Sequence, residues 1–309
     1  MKLAFLYAGQ GAQHVGMGRD LYEIYPAFRQ VLDSAPVDFD LKKLCFDGPE
    51  DQLNDTRYTQ PCMVAFAAGV TALLREAGIT PDYAAGLSLG EYSALQCAGV
   101  FDAKTAISLV AFRGQAMADA VQGRPCGMAA VLGMDRDALK AVCAEASDAG
   151  VVECTNFNCP GQIVISGDAA AVDKAGELAK AAGAKRVLPL KVSGPFHTSL
   201  MAPAGDALRE KFQSVDFGSM EVPVLFNCLG DLKGEADTIP ELLEQQVQSS
   251  VYLEDTIRRL GELGVDTVVE IGPGRTLSGF VKKTVKGIKC YPVETAEELQ
   301  AAIAALRGE

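Results

Sequence analysis

The chain has 309 residues, 49% of them hydrophobic and 22% charged, with a formal net charge of −12. This composition excludes a disordered or fibrous chain and leaves room for a full core, and the acidic balance argues against broad binding to nucleic acid or to an anionic membrane. Nine cysteines without a C-x-x-C pair point to reduced thiols in a cytoplasmic protein, and two histidines, His14 and His197, are too few for a histidine-built metal cluster.

In chain order, the apolar run Leu3 to Ala8 predicts a strand, and the residues before it carry no cleavage-site pattern, so no signal peptide is expected. No apolar stretch reaches the ~20 residues of a membrane span. The strand ends in the glycine loop Gly9-Gln10-Gly11-Ala12-Gln13, a candidate wall of a site, since open α/β sheets bind at the carboxyl ends of their strands. Helices are expected over Leu21–Leu32 and Pro61–Glu76, the second capped by Thr59 and ending at Gly78.

Next comes Gly86-Leu87-Ser88-Leu89-Gly90-Glu91, a G-x-S-x-G pattern between the apolar run Tyr83-Ala84-Ala85 and the helical run Tyr92 to Ala98. Glycines flanking a serine permit a sharp strand-to-helix turn, which exposes the hydroxyl beside the unpaired N–H groups of a helix N-terminus. Ser88 is therefore the candidate nucleophile, and those N–H groups are candidate oxyanion donors.

Asp102 is the expected cap of a long helix through about Val121. Arg113 falls on its apolar stripe with Ala106, Leu109, Val110 and Met117, and so should point inward. An inward guanidinium needs an anionic partner, either an internal carboxylate or the carboxylate of a substrate, which arginine's planar fork binds bidentately.

From Cys126 to Leu190 the pattern becomes strand Met128–Leu132, helix Asp135–Ala146, strands Val151–Asn156 and Gln162–Ser166, helix Ala170–Ala182 and strand Arg186–Leu190. That βαββαβ order is the signature of a ferredoxin-like unit. The expected organisation is a large α/β domain over 1–124, the ferredoxin-like insert over 125–192, and the rest of the large domain over 193–309. Asn156, Asn158 and Cys159-Pro160-Gly161-Gln162 read as turn chemistry between the two middle strands.

The large domain resumes at Ser193-Gly194-Pro195-Phe196-His197, with a helix around Pro203–Phe212, buried strands at Val222–Phe226 and Val265–Ile271, a last strand at Ile288–Val293 and a closing helix over Glu297–Leu306. Lys282, Lys283, Lys286 and Lys289 form a basic cluster that reads as a solvated face. A serine needs a base to act at neutral pH. His197, in a turn-rich loop, is the better of the two imidazoles, and no acidic residue stands at an obvious position to complete a hydrolase-like triad, so a dyad is expected.

Five blocks, Gly9-Gln10-Gly11-Ala12-Gln13, Gly86 to Glu91, Arg113-Gly114, Asn156 to Gln162 and Gly194-Pro195-Phe196-His197, together resemble the malonyl-CoA:acyl carrier protein transacylases of type II fatty acid synthesis, over essentially the whole chain. The resemblance implies a hydrolase-like α/β domain with parallel sheet core plus an inserted ferredoxin-like subdomain, with the active site in the cleft between them. It implies ping-pong transfer of malonyl from malonyl-CoA to the phosphopantetheine thiol of acyl carrier protein. That chemistry requires no metal or redox cofactor, and a cytoplasmic monomer is expected. Carried over by residue, Ser88 is the nucleophile, His197 its base, Arg113 the malonyl carboxylate's partner, and Gln10 and Leu89 the oxyanion-hole donors. Gln246 is the glutamine whose carbonyl orients the histidine. The chain departs from the family pattern at Ala8, at Leu87 and at Ser249-Ser250-Val251-Tyr252. The alternatives are a stand-alone acyltransferase serving a polyketide synthase and a serine thioesterase or esterase.

Overall fold

A computed structural model describes residues 1–191 and 194–308. Its elements run β1 (Leu3–Tyr7), α1 (Arg19–Ile24), α2 (Pro26–Asp33), α3 (Leu41–Asp47), α4 (Glu50–Leu53), α5 (Thr56–Glu76), β2 (Tyr83–Gly86), α6 (Gly90–Cys97) and α7 (Ala103–Ala120). There follow β3 (Cys126–Leu132), α8 (Arg136–Ala146), β4 (Val152–Cys159), β5 (Gln162–Asp168), α9 (Ala169–Ala181), β6 (Arg186–Pro189), α10 (Ala202–Phe212), β7 (Leu225–Phe226) and β8 (Asp231–Leu232). The chain closes with α11 (Ile239–Val247), α12 (Leu253–Glu262), β9 (Thr267–Ile271), α13 (Thr276–Thr284), β10 (Lys289–Val293) and α14 (Ala296–Arg307).

Two compact units divide the chain: Met1–Gly114 with Asp216–Phe226 and Arg258–Glu309, and Gln115–Val215 with Asn227–Ile257. The boundary expected between residues 192 and 193, and Ser193 itself, lie outside the described residues.

In the first unit the sheet order is β10-β9-β1-β2, every pairing parallel. All five residues of β1 are buried, as befits a strand covered on both faces. Because β1 pairs with β2 in parallel, Tyr7 opposite Gly86, the loops after both strands emerge side by side at the sheet's carboxyl edge.

In the second unit the order is β4-β5-β3-β6, antiparallel throughout, with α8 and α9 completing the expected ferredoxin-like βαββαβ unit. Leu139 and Val142 from α8, Val172 and Ala175 from α9, and Val131, Phe157 and Ile165 from the sheet form its core. β4 extends past Asn156 to Cys159 through two register shifts, so Asn156 and Asn158 are buried strand residues rather than turn residues. A bulge breaks the period-2 pattern from which the strand's end would be read.

Other boundaries also differ from expectation. The helix expected over Leu21–Leu32 is two helices, because Pro26 forces Tyr25 into extended backbone. α5 begins at Thr56, where the Asp55 side chain accepts from Arg57 N at 3.0 Å. That cap and the burial of Thr56, Thr59 and Gln60 outweigh the hydrogen bond lost at Pro61. The strand expected over Val222–Phe226 contracts to β7, with a single parallel bridge from Val224 to Ala84 before it. Among the described residues no helix is long and apolar enough to cross a membrane.

Candidate active site

The loop after β2 is a strained elbow. Ser88 has φ +51°, and the only other non-glycine residue among those described with positive φ is His197, at +61°. Such backbone persists only where its surroundings over-determine it, and it concentrates at functional sites. The surroundings here are backbone. A Cβ on Gly86 would lie 2.1 Å from Gly90 C, and one on Gly90 would lie 2.2 Å from Tyr7 O, so both glycines of the motif are sterically required. A Cβ on Gly9 would meet Leu87 O at 2.5 Å, which presses the loop after β1 against the elbow.

α6 starts just after Ser88, with Leu89 at its N-cap. Among the described residues, neither the Gln10 nor the Leu89 backbone N–H meets a protein acceptor. Two amide donors, one from each adjoining loop, are thus available for a developing oxyanion.

Arg113 is 1% exposed in α7, whose start is fixed by Asp102 accepting from Thr105 N at 2.7 Å. A Cβ on Gly114 would lie 2.6 Å from Thr56 O, and this close approach of α7 to α5 brings Arg113 to Gln60. Arg113 Nη1 donates to Gln60 Oε1 at 2.9 Å and Nη2 to Ser88 Oγ at 3.3 Å, with the guanidinium 5.4 Å from the centre of the Tyr92 ring. Burial lowers the guanidinium's pKa from the usual arginine range, while Tyr92 and Glu91 work the other way. Ser88, Arg113, Gln10 and Leu89 therefore share the first unit, and a fork that can grip a carboxylate lies beside the elbow serine.

His197 and Gln246 belong to the second unit. His197 is 3% exposed, and its Nδ1 lies 2.8 Å from the Gln246 carbonyl oxygen. A carbonyl only accepts, so Nδ1 carries a proton, and the neutral form of the ring is the tautomer with its lone pair on Nε2. The Gln246 carbonyl can serve because it belongs to the last turn of α11, where carbonyls have no helical partner. Sequence reasoning missed α11, although Thr238, Pro240 and Glu241 spell a helix start, and the Thr238 side chain does accept from Glu241 N.

His14 faces two acceptors, the Glu294 carboxylate at Nε2 and the Val15 carbonyl at Nδ1. Burial is the largest single influence and lowers its pKa, but the bond to Glu294, the bond to Val15 and the Glu294 charge together outweigh it and the net shift is upward, which suits a held proton rather than a base. Gln60 and Thr56 were not singled out from sequence; no local pattern marks them, since their role comes from α5 meeting α7. Among the described residues no group of three or more His, Cys, Asp or Glu side chains could hold a metal ion.

The family model described as acyl transferase domain matches residues 4–304. A malonyl CoA-acyl carrier protein transacylase of Bacillus subtilis is 45% identical, over 100% of this chain and 98% of its own. The crystal structure of the malonyl CoA-acyl carrier protein transacylase from Clostridium perfringens has a TM-score of 0.95 at 39% identity, covering 100% of this chain and 98% of that one. A malonyl-transacylase solved in complex with its type II polyketide synthase acyl-carrier protein also has a TM-score of 0.95 at 39% identity, with 100% of both chains covered.

Proposed function

From the premise that this chain belongs to the acyl transferase domain family, as a relative of the malonyl CoA-acyl carrier protein transacylases, we propose that it transfers malonyl from malonyl-CoA to the phosphopantetheine thiol of acyl carrier protein in fatty acid biosynthesis. The observation that carries this reading is the Arg113 guanidinium 3.3 Å from Ser88 Oγ, a carboxylate receptor next to a strained elbow serine. An esterase of neutral acyl groups has no use for that buried charge.

In the first half-reaction Ser88 Oγ attacks the thioester carbonyl and His197 Nε2 takes its proton. The Gln10 and Leu89 N–H groups hold the tetrahedral oxyanion. Its collapse breaks the C–S bond, CoA leaves as the thiol with the proton from His197, and malonyl remains as an ester on Ser88. In the second half-reaction the carrier's thiol gives its proton to His197 and attacks the ester; Ser88 leaves and recovers the proton. The Gln246 carbonyl keeps His197 in the tautomer that both halves need. The acyl group arrives as an activated thioester, so this cytoplasmic transfer needs no further cofactor.

Intact mass after mixing with malonyl-CoA tests the reading. The expected result is a malonyl adduct that persists until acyl carrier protein is added and that Ser88→Ala abolishes without loss of fold. Rapid hydrolysis without carrier would make the protein a thioesterase, and an adduct on another residue would remove Ser88 from the mechanism.

A further inference from the structure

Four side chains of the first unit, three of them deeply buried, form a directed hydrogen-bond chain that the mechanism above does not use. Arg113 Nη1 donates to Gln60 Oε1 at 2.9 Å, Gln60 Nε2 donates to Thr56 Oγ1 at 2.9 Å, and Thr56 Oγ1 donates to Gln10 Oε1 at 2.8 Å. Gln60 is 0% exposed and Thr56 1%. The first two directions are forced: a guanidinium only donates, so the Gln60 amide must turn its oxygen to Arg113 and its NH2 to Thr56. The Thr56 hydroxyl, having accepted from Gln60, passes its single proton on to Gln10.

The chain joins the guanidinium beside Ser88 to the glycine loop whose Gln10 amide is a candidate oxyanion donor. Its central member is an amide rather than a carboxylate. A glutamate at position 60 would form an ion pair with Arg113 and compete with any substrate carboxylate for the same fork, whereas the amide holds the fork in place and adds no negative charge.

We propose that Gln60 is a positioning residue for acyl selection: through Arg113 it presents the fork to a substrate carboxylate, and through Thr56 it holds the Gln10 loop. This rests on the malonyl-transfer reading above, in which Arg113 binds the free carboxylate of the acyl group.

The test compares malonyl-serine with acetyl-serine formation by intact-mass time courses, together with the thermal midpoint, for Gln60→Glu, Gln60→Met and Gln60→Met in an Arg113→Ala background. Gln60→Glu should lower the malonyl-to-acetyl ratio of kcat/KM about tenfold or more, the loss residing in KM for malonyl-CoA. Gln60→Met, of similar volume but without an acceptor, should lower that ratio about threefold, and should lower it no further once Arg113 is alanine, since the effect on selection runs through that residue. Equal losses on both substrates with Gln60→Glu, or a Gln60→Met effect on the ratio that survives in the Arg113→Ala background, would reduce Gln60 to a structural role. If Gln60→Glu fails to fold, a Gln60→Met enzyme with wild-type rates and ratio overturns the proposal by itself. A wild-type enzyme that forms no malonyl adduct refutes the transfer reading before any variant is made, and the positioning role falls with it.

Discussion

Truncating Arg113 to alanine is the most discriminating perturbation of this site. In a malonyl ester of Ser88 the free carboxylate carbon stands three bonds from Oγ, roughly 3–4 Å away with bonds of ~1.5 Å. The guanidinium nitrogen nearest Oγ lies 3.3 Å from it, so the fork is within reach of that carboxylate. Losing one partner of a desolvated charge pair costs about 2–5 kcal/mol, which predicts a loss of about 30- to 5,000-fold in kcat/KM for malonyl transfer. Acetyl-CoA has no carboxylate to lose, and its turnover should fall far less or rise. A structural cost accompanies the change, because Gln60 Oε1 loses a buried donor and the Tyr92 ring loses its cation. Arg113→Met, which keeps most of the packing, separates that cost from the loss of charge. The assay is the ratio of malonyl-serine to acetyl-serine formation, with the thermal midpoint recorded alongside. A lowered midpoint with both substrates depressed alike, the ratio unchanged, would refute the reasoning and make Arg113 an internal structural charge.

His197→Ala should slow acylation by malonyl-CoA and release to carrier protein together, since one imidazole serves both halves; stopped-flow measurement of each half that found only one impaired would require a second base. Gly90→Ala drives a Cβ to 2.2 Å from the Tyr7 carbonyl oxygen, an overlap that no rotamer relieves, and should cost more than about 3 kcal/mol in a denaturant melt. A Gly90→Ala protein as stable as wild type would show that the elbow is not held by this contact. Lys282 and Lys283 are exposed in the last turn of α13 on a chain of net charge −12, and reversing both to Glu should raise KM for an acidic carrier protein at low salt while malonyl-CoA acylation stays unchanged. Equal effects on both half-reactions would assign the cluster to another task.

What the sequence by itself determined was local in its physics. Gly86, Ser88 and Gly90 announce a turn, and the structure supplies the reason, since two backbone contacts near 2 Å leave no room for a Cβ at either glycine. The 3.6-residue period of α7 turned Arg113 inward, because burial of one face of a helix settles the direction of every residue on that stripe. The βαββαβ order was legible because α8, α9 and their strands each carry their own period, with Asp135 marking the start of α8 as its cap.

Only the tertiary structure decided what Arg113 meets. Gln60 lies 53 residues earlier and reaches it because α5 and α7 touch at Gly114, a contact that leaves no trace in the pattern of either helix. The tautomer of His197 depends in the same way on the end of α11, nearly fifty residues along the chain, where a carbonyl left over by helix geometry accepts the imidazole proton. Periodicity reports which face of an element is buried; which partner waits there is set by packing between segments that the chain brings together only when it folds.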